Sequence, residues 1–137
     1  MVAADIDGDG QKEIICSFSN EIVVLTQKGE VKWKKSFQSS PRIAALDLTN
    51  DFVPEVIVIL DGNLRFQVLY GKGQELARHD FYSRWYSAPR EQLSITPIWS
   101  GNIDDDKSIE IVCLVNASYD LEPRGLYVFE YPSFKEE

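Results

Sequence analysis

Asp5, Asp7 and Asp9 alternate along Ala4-Asp5-Ile6-Asp7-Gly8-Asp9-Gly10-Gln11-Lys12-Glu13, which places Gly10 at the sixth position of a nine-residue loop and Glu13 at the ninth. Carboxylates at alternate positions of a tight turn converge on one point, while glycine relieves the turn. An oxygen-rich, flexible set of this kind suits a hard cation such as Ca2+. The competing account is a solvated turn, because Asp and Gly favour turns whatever they bind. Against it, three neighbouring aspartates repel one another unless a cation compensates. An EF-hand is excluded: Cys16 stands at its twelfth position, where a bidentate Glu is needed, and both flanks read as strands.

The pattern recurs from Asp47, 42 residues after Asp5, and from Asn102, 55 residues after Asp47. The second copy keeps Asp47, Asp51 and Glu55 but has Thr49 at the third position and bulky Phe52 in place of the glycine, so it reads as a turn rather than a metal site. The third offers oxygens from Asn102, Asp104, Asp106 and Glu110, opposed by the charge of Lys107 at the sixth position. A metal held in such loops is structural: protein oxygens fill the coordination sphere, and no general base stands nearby.

The stretch Val2-Ala3-Ala4-Asp5-Ile6-Asp7-Gly8-Asp9-Gly10-Gln11-Lys12-Glu13-Ile14-Ile15 resembles the integrin-like FG-GAP or VCBS repeats, whose blades carry an Asp-x-Asp-x-Asp-Gly-x-x-Asp calcium loop. The resemblance implies side-chain ligands from Asp5, Asp7, Asp9 and Glu13, with the backbone carbonyl of Gln11 added. It extends over nearly the whole chain as a repeat, but only the first loop is a specific match. The Phe-Gly and Gly-Ala-Pro signatures of the family are absent, and Glu13 replaces the usual Asp.

Short β-branched and aromatic runs separated by turn residues must position these loops. In the first unit the strands are Val2 to Ala4, Glu13 to Phe18, Glu21 to Thr26 and Val31 to Phe37; in the second, Ile43 to Leu46, Glu55 to Leu60, Leu64 to Tyr70 and Glu75 to Phe81. No segment has helical periodicity. Four short antiparallel strands at a period near 40 residues predict an all-β fold of β-propeller blades; a β-sandwich is the alternative. The expectation is a single partial propeller over residues 1–137 with about three four-stranded antiparallel blades. Repeat 1 spans about 1–40 and repeat 2 about 41–83; after an insertion at about 83–96, repeat 3 runs to 137. The last blade is expected to stop at Tyr131-Pro132 before its fourth strand. Because closed propellers have 4 to 8 blades, the chain reads as a segment of a larger propeller, or as an arc completed by a second subunit.

The insertion, Ser83-Arg84-Trp85-Tyr86-Ser87-Ala88-Pro89-Arg90, has the aromatic and arginine content of a binding hot spot, so Arg84, Trp85, Tyr86 and Arg90 are the candidate ligand contacts. Alternatively Trp85 and Tyr86 cover a blade edge. A second irregular loop, Asn116 to Gly125, belongs to the same unit. Cys16 and Cys113 occupy matching strand positions two units apart and read as unbridged core residues. His79 reads as a surface histidine, and Trp33 as a packing residue on an outer strand.

Acidic residues exceed basic ones, 22 to 14, for a net charge of −8, and no basic run occurs, which opposes nucleic-acid binding. No apolar run approaches the roughly 18 to 20 residues of a membrane helix. The opening Met1-Val2-Ala3-Ala4-Asp5 has neither the basic nor the apolar region of a secretory signal; the family resemblance nonetheless favours an extracellular or cell-surface setting. No constellation of nucleophile, base and oxyanion donor is visible. The expected function is therefore a calcium-stabilised binding or adhesion module for a protein or carbohydrate ligand. The alternatives are the propeller of a polysaccharide lyase or hydrolase using Arg84, Arg90, Tyr86, Tyr119 and Arg124, and an intracellular scaffold without metal.

Overall fold

The computed structural model describes residues 1–60, 65–81, 93–117 and 125–136. All regular structure among them is β, in three four-stranded antiparallel sheets. The first contains β1 (Val2–Ala4), β2 (Glu13–Phe18), β3 (Glu21–Leu25) and β4 (Val31–Ser36). The second contains β5 (Arg42–Leu46), β6 (Glu55–Leu60), β7 (Arg65–Leu69) and β8 (Glu75–Asp80). The third contains β9 (Leu93–Gly101), β10 (Ile109–Ala117), β11 (Gly125–Tyr131) and β12 (Lys135–Glu136). Each sheet is a meander in which strands pair in chain order. The repeat reaches into the ladder: the register shifts at Val24/Leu25 between β3 and β4, and at the matching Val68/Leu69 between β7 and β8.

The fourth strand of the third sheet corrects the expectation that the last unit is incomplete. Tyr131-Pro132 does not end the pairing; it enters a turn after which Lys135 and Glu136 pair with Glu130 and Phe129. Phe134 anchors that turn. It is buried among Phe66, Phe81 and Tyr131, and its left-handed backbone (φ 56°) reverses the chain.

The period-2 pattern of the strands explains how the sheets stack. In β6 every residue is buried, since its alternate side chains serve two cores. Val56, Val58 and Leu60 join Ile15, Ile22 and Val24 of the first sheet. Ile57 and Ile59 join Ile111, Cys113, Val115 and Phe129 of the third. Each such side chain contributes about 1.5–3 kcal/mol on full burial. Trp33 does pack on the outer strand, against the first of these cores, and its Nε1 donates to Gly71 O at 2.6 Å. His79, expected at the surface, instead stacks on Phe134 and meets Phe81 edge-on, at centroid distances of 4.9 and 4.6 Å. Both cysteines are free; Cys113 lies in the core, where burial pushes its thiol pKa up to about 12.

Candidate metal centres

Each acidic loop joins the first two strands of a sheet: β1 to β2, β5 to β6, and β9 to β10. A common tie closes all three. The ninth-position glutamates Glu13, Glu55 and Glu110 are buried. Their Oε2 atoms accept hydrogen bonds from the backbone N–H of the second loop residue, at 3.0 Å from Ile6, 2.6 Å from Leu48 and 2.6 Å from Ile103. A buried carboxylate satisfied in this way fixes where the loop begins and returns.

The first-position aspartates shape the rest. Asp5 Oδ1 accepts from Gly8 N at 2.8 Å and Asp9 N at 3.1 Å, while Oδ2 accepts from Gly10 N at 2.8 Å. Asp47 repeats the arrangement with Asn50 N at 2.8 Å, Asp51 N at 3.3 Å and Phe52 N at 2.9 Å. In the third loop Asn102 does not repeat it; its Nδ2 donates to Asp106 O at 2.6 Å.

Carboxylate oxygens gather within 4.8 Å of one another in every loop, from Asp5, Asp7 and Glu13, from Asp47, Asp51 and Glu55, and from Asp104, Asp106 and Glu110. The donor sets are all oxygen and fit a hard divalent cation. The sequence-derived first set is brought together in part. Asp9 lies outside that trio, with its Oδ1 accepting from Gln11 N at 2.8 Å. The second set gathers Asp47, Asp51 and Glu55 as fully as the others, although Thr49 and Phe52 pointed away from metal. In the third, the amide of Asn102 is turned to the chain rather than to the carboxylates.

What faces the second glutamate oxygen differs from loop to loop. In the first it is Lys32, whose ammonium contacts Asp7 Oδ2 and lies 3.3 Å from Glu13 Oε1. Asp7 is held below the usual carboxylate range, chiefly by its hydrogen bond with Lys32, and the ammonium is raised in turn, chiefly by Asp7. In the second loop Thr49 Oγ1 donates to Glu55 Oε1 at 3.0 Å, and burial pushes the Glu55 carboxyl pKa up. In the third it is Ser108, whose Oγ lies 3.5 Å from Glu110 Oε1 and donates to Asp106 Oδ1 at 2.7 Å, holding the Asp106 carboxyl down. Lys32 escaped the sequence reading because it lies outside the loop by 25 residues from Asp7; the alternation Val31-Lys32-Trp33-Lys34 was the available signal.

Arg84, Trp85, Tyr86 and Arg90 of the insertion, with Tyr119 and Arg124, lie outside the described residues. No protein-family model matches the chain, and neither does any curated protein or solved structure.

Proposed function

We propose that the chain is a run of consecutive blades of a β-propeller, stabilised by calcium in its acidic loops and serving as a binding module. The recurrence of a carboxylate trio at the same connection of three successive sheets carries this reading. Calcium is favoured over a softer metal because every gathered donor is oxygen, and over magnesium because the loops offer several carboxylates in an irregular set.

The radial arrangement of blades is supported by the first strands, since β5 lies against β1 on one side and β9 on the other. Burial of matching residues supports it as well. Ile6 and Leu48, at the second position of the first two loops, are each 2% exposed beneath the following sheet, whereas Ile103 of the third is 53% exposed. Leu126 and Phe18, whose counterparts in the second sheet are buried, are also exposed. Further blades, from more chain or from a second subunit, would cover these faces.

The ammonium of Lys32 favours a second reading in which the first loop is a metal-free ion pair. Thermal melting separates the two. Under the calcium reading, millimolar calcium raises the midpoint, excess chelator lowers it, and Lys32→Gln strengthens calcium binding about tenfold by removing a like charge. A midpoint indifferent to calcium and chelator in both proteins overturns it.

A further inference from the structure

At the end of the sheets opposite the acidic loops, a groove of about 380 Å³ separates the first sheet from the second. Lys35 and Phe37 line it from the first sheet; Leu60, Arg65, Gln67 and Arg78 line it from the second. Its volume lies in the range of small-molecule sites, about 300–1,000 Å³, and it is concave where protein interfaces are broad.

Gln67 breaks the repeat. The face of the second sheet turned toward the first is otherwise apolar, with Val56, Val58, Leu60 and Leu69. The matching residue of the first sheet is Val23. Gln67 is 8% exposed, yet its side-chain amide makes no hydrogen bond with other described residues. Its amide carries two donors and an acceptor, none of them sealed from solvent without a partner, and they open on the groove.

The charge of the groove also departs from that of the protein. Among the described residues, three cationic side chains line it and no carboxylate does, in a chain of net charge −8. Glu75 holds Arg78 from the side, accepting from Nε at 2.9 Å and Nη2 at 3.2 Å, which leaves Nη1 unused by that pair. Arg65 is 3.7 Å from Asp80, and among the described residues Lys35 Nζ meets only the Gly73 carbonyl, at 3.4 Å. Phe37 and Leu60 add an apolar wall.

A carboxylate for the cations, hydroxyls for an amide with free hydrogen-bonding capacity and a C–H face for an apolar wall together describe a uronic acid. We infer that this groove binds an acidic saccharide, with Lys35, Arg65 and Arg78 on the carboxylate and Gln67 on a ring hydroxyl. The inference rests on the binding-module reading above but not on its metal.

Calorimetric titration with a hexuronate trisaccharide, its methyl ester, a glutamate tripeptide and sulfate, all at one fixed free calcium concentration, tests it. The free acid is expected to saturate, with the ester, the peptide and sulfate each about tenfold weaker or more. Lys35→Gln is expected to weaken the acid about tenfold through loss of one charge-assisted contact. Gln67→Val, which installs the residue of the first sheet, is expected to weaken it about tenfold while leaving or raising the melting midpoint. Absence of saturation overturns the site, as does equal binding of ester, peptide or sulfate, or indifference to both variants. A chelator-sensitive midpoint without uronate binding overturns the groove alone; uronate binding with a chelator-insensitive midpoint overturns the metal alone.

Discussion

In the first acidic loop the chain turns left-handed at Gly8 and Gly10, with φ of 77° and 88°; in the second it does so at Asn50 and Phe52, with φ of 62° and 67°. The backbones match although the residues at the turning points do not. Glycine adopts this conformation freely, whereas a bulky side chain there is strained by about 1–3 kcal/mol. The second loop keeps the shape because Asp47 gathers the N–H groups of Asn50, Asp51 and Phe52, and Glu55 ties Leu48. The first and ninth positions therefore dictate the form, and the sixth only sets its energetic cost. The third loop supports the same division of labour: with Asn102 at the first position and Lys107 at the sixth, only Asp105 remains left-handed.

The largest effect is expected where the second sheet clamps the first loop. A Cβ at Gly71 would stand 1.8 Å from Ile6 O, so Gly71→Ala should destabilise the fold by about 3 kcal/mol in denaturant melts. The second loop is held differently, by Ser100 Oγ donating to Asp47 O at 2.9 Å, and Ser100→Ala should lose only about 1 kcal/mol. Equal losses would mean that neither contact distinguishes the loops.

Glu55→Ala leaves the buried N–H of Leu48 without its acceptor and should lower stability by about 2 kcal/mol without calcium and by more with it, since the carboxylate is also one of the oxygens gathered in the second loop. A loss seen only in calcium would recast Glu55 as a ligand first and a tie second. Phe52→Gly should raise stability by about 1 kcal/mol, because the ring is 92% exposed and contributes little packing, while Gly10→Ala should lower it by a similar amount.

The smallest difference concerns acid. The Asp7 carboxyl pKa is lowered from 3.8, so its contribution is present above that value and is lost as pH falls through the folded value. The Glu55 carboxyl pKa is raised from 4.5, so its contribution is present below that value and is lost as pH rises through the folded one. Melting midpoints measured between about pH 6 and 3 should therefore fall less steeply for Lys32→Gln than for the parent, and more steeply for Glu55→Gln. Parallel curves for all three proteins would remove the distinction between the loops.

The strands and the three loops were legible in the sequence because both depend on local spacing. Glu13 to Phe18 and Glu55 to Leu60 match β2 and β6 at both ends, and among the described residues other boundaries moved by one residue, at Thr26, Phe37, Arg42, Tyr70 and Phe81, while the expected start at Leu64 lies outside the described residues. The residues that escaped owe their roles to partners far along the chain. Lys32 reaches Asp7 across a sheet, His79 finds Phe134, and Gln67 matters because a neighbouring sheet buries it. The short strand Lys135–Glu136 was missed because Tyr131-Pro132 resembles a terminator, while the buried ring of Phe134 that turns the chain back lies two residues beyond.

The burial of β6 on both faces also bears on how the molecule opens. Glu55–Leu60 has sheets on either side and paired strands at both edges, so its amides exchange with solvent only when the stack comes apart as a whole. Strands of the outer sheets, each with one half-covered face, can open separately. In hydrogen–deuterium exchange the second sheet should be the last to label, and a single slow segment in the middle of the sequence would mark the unit on which the others assemble.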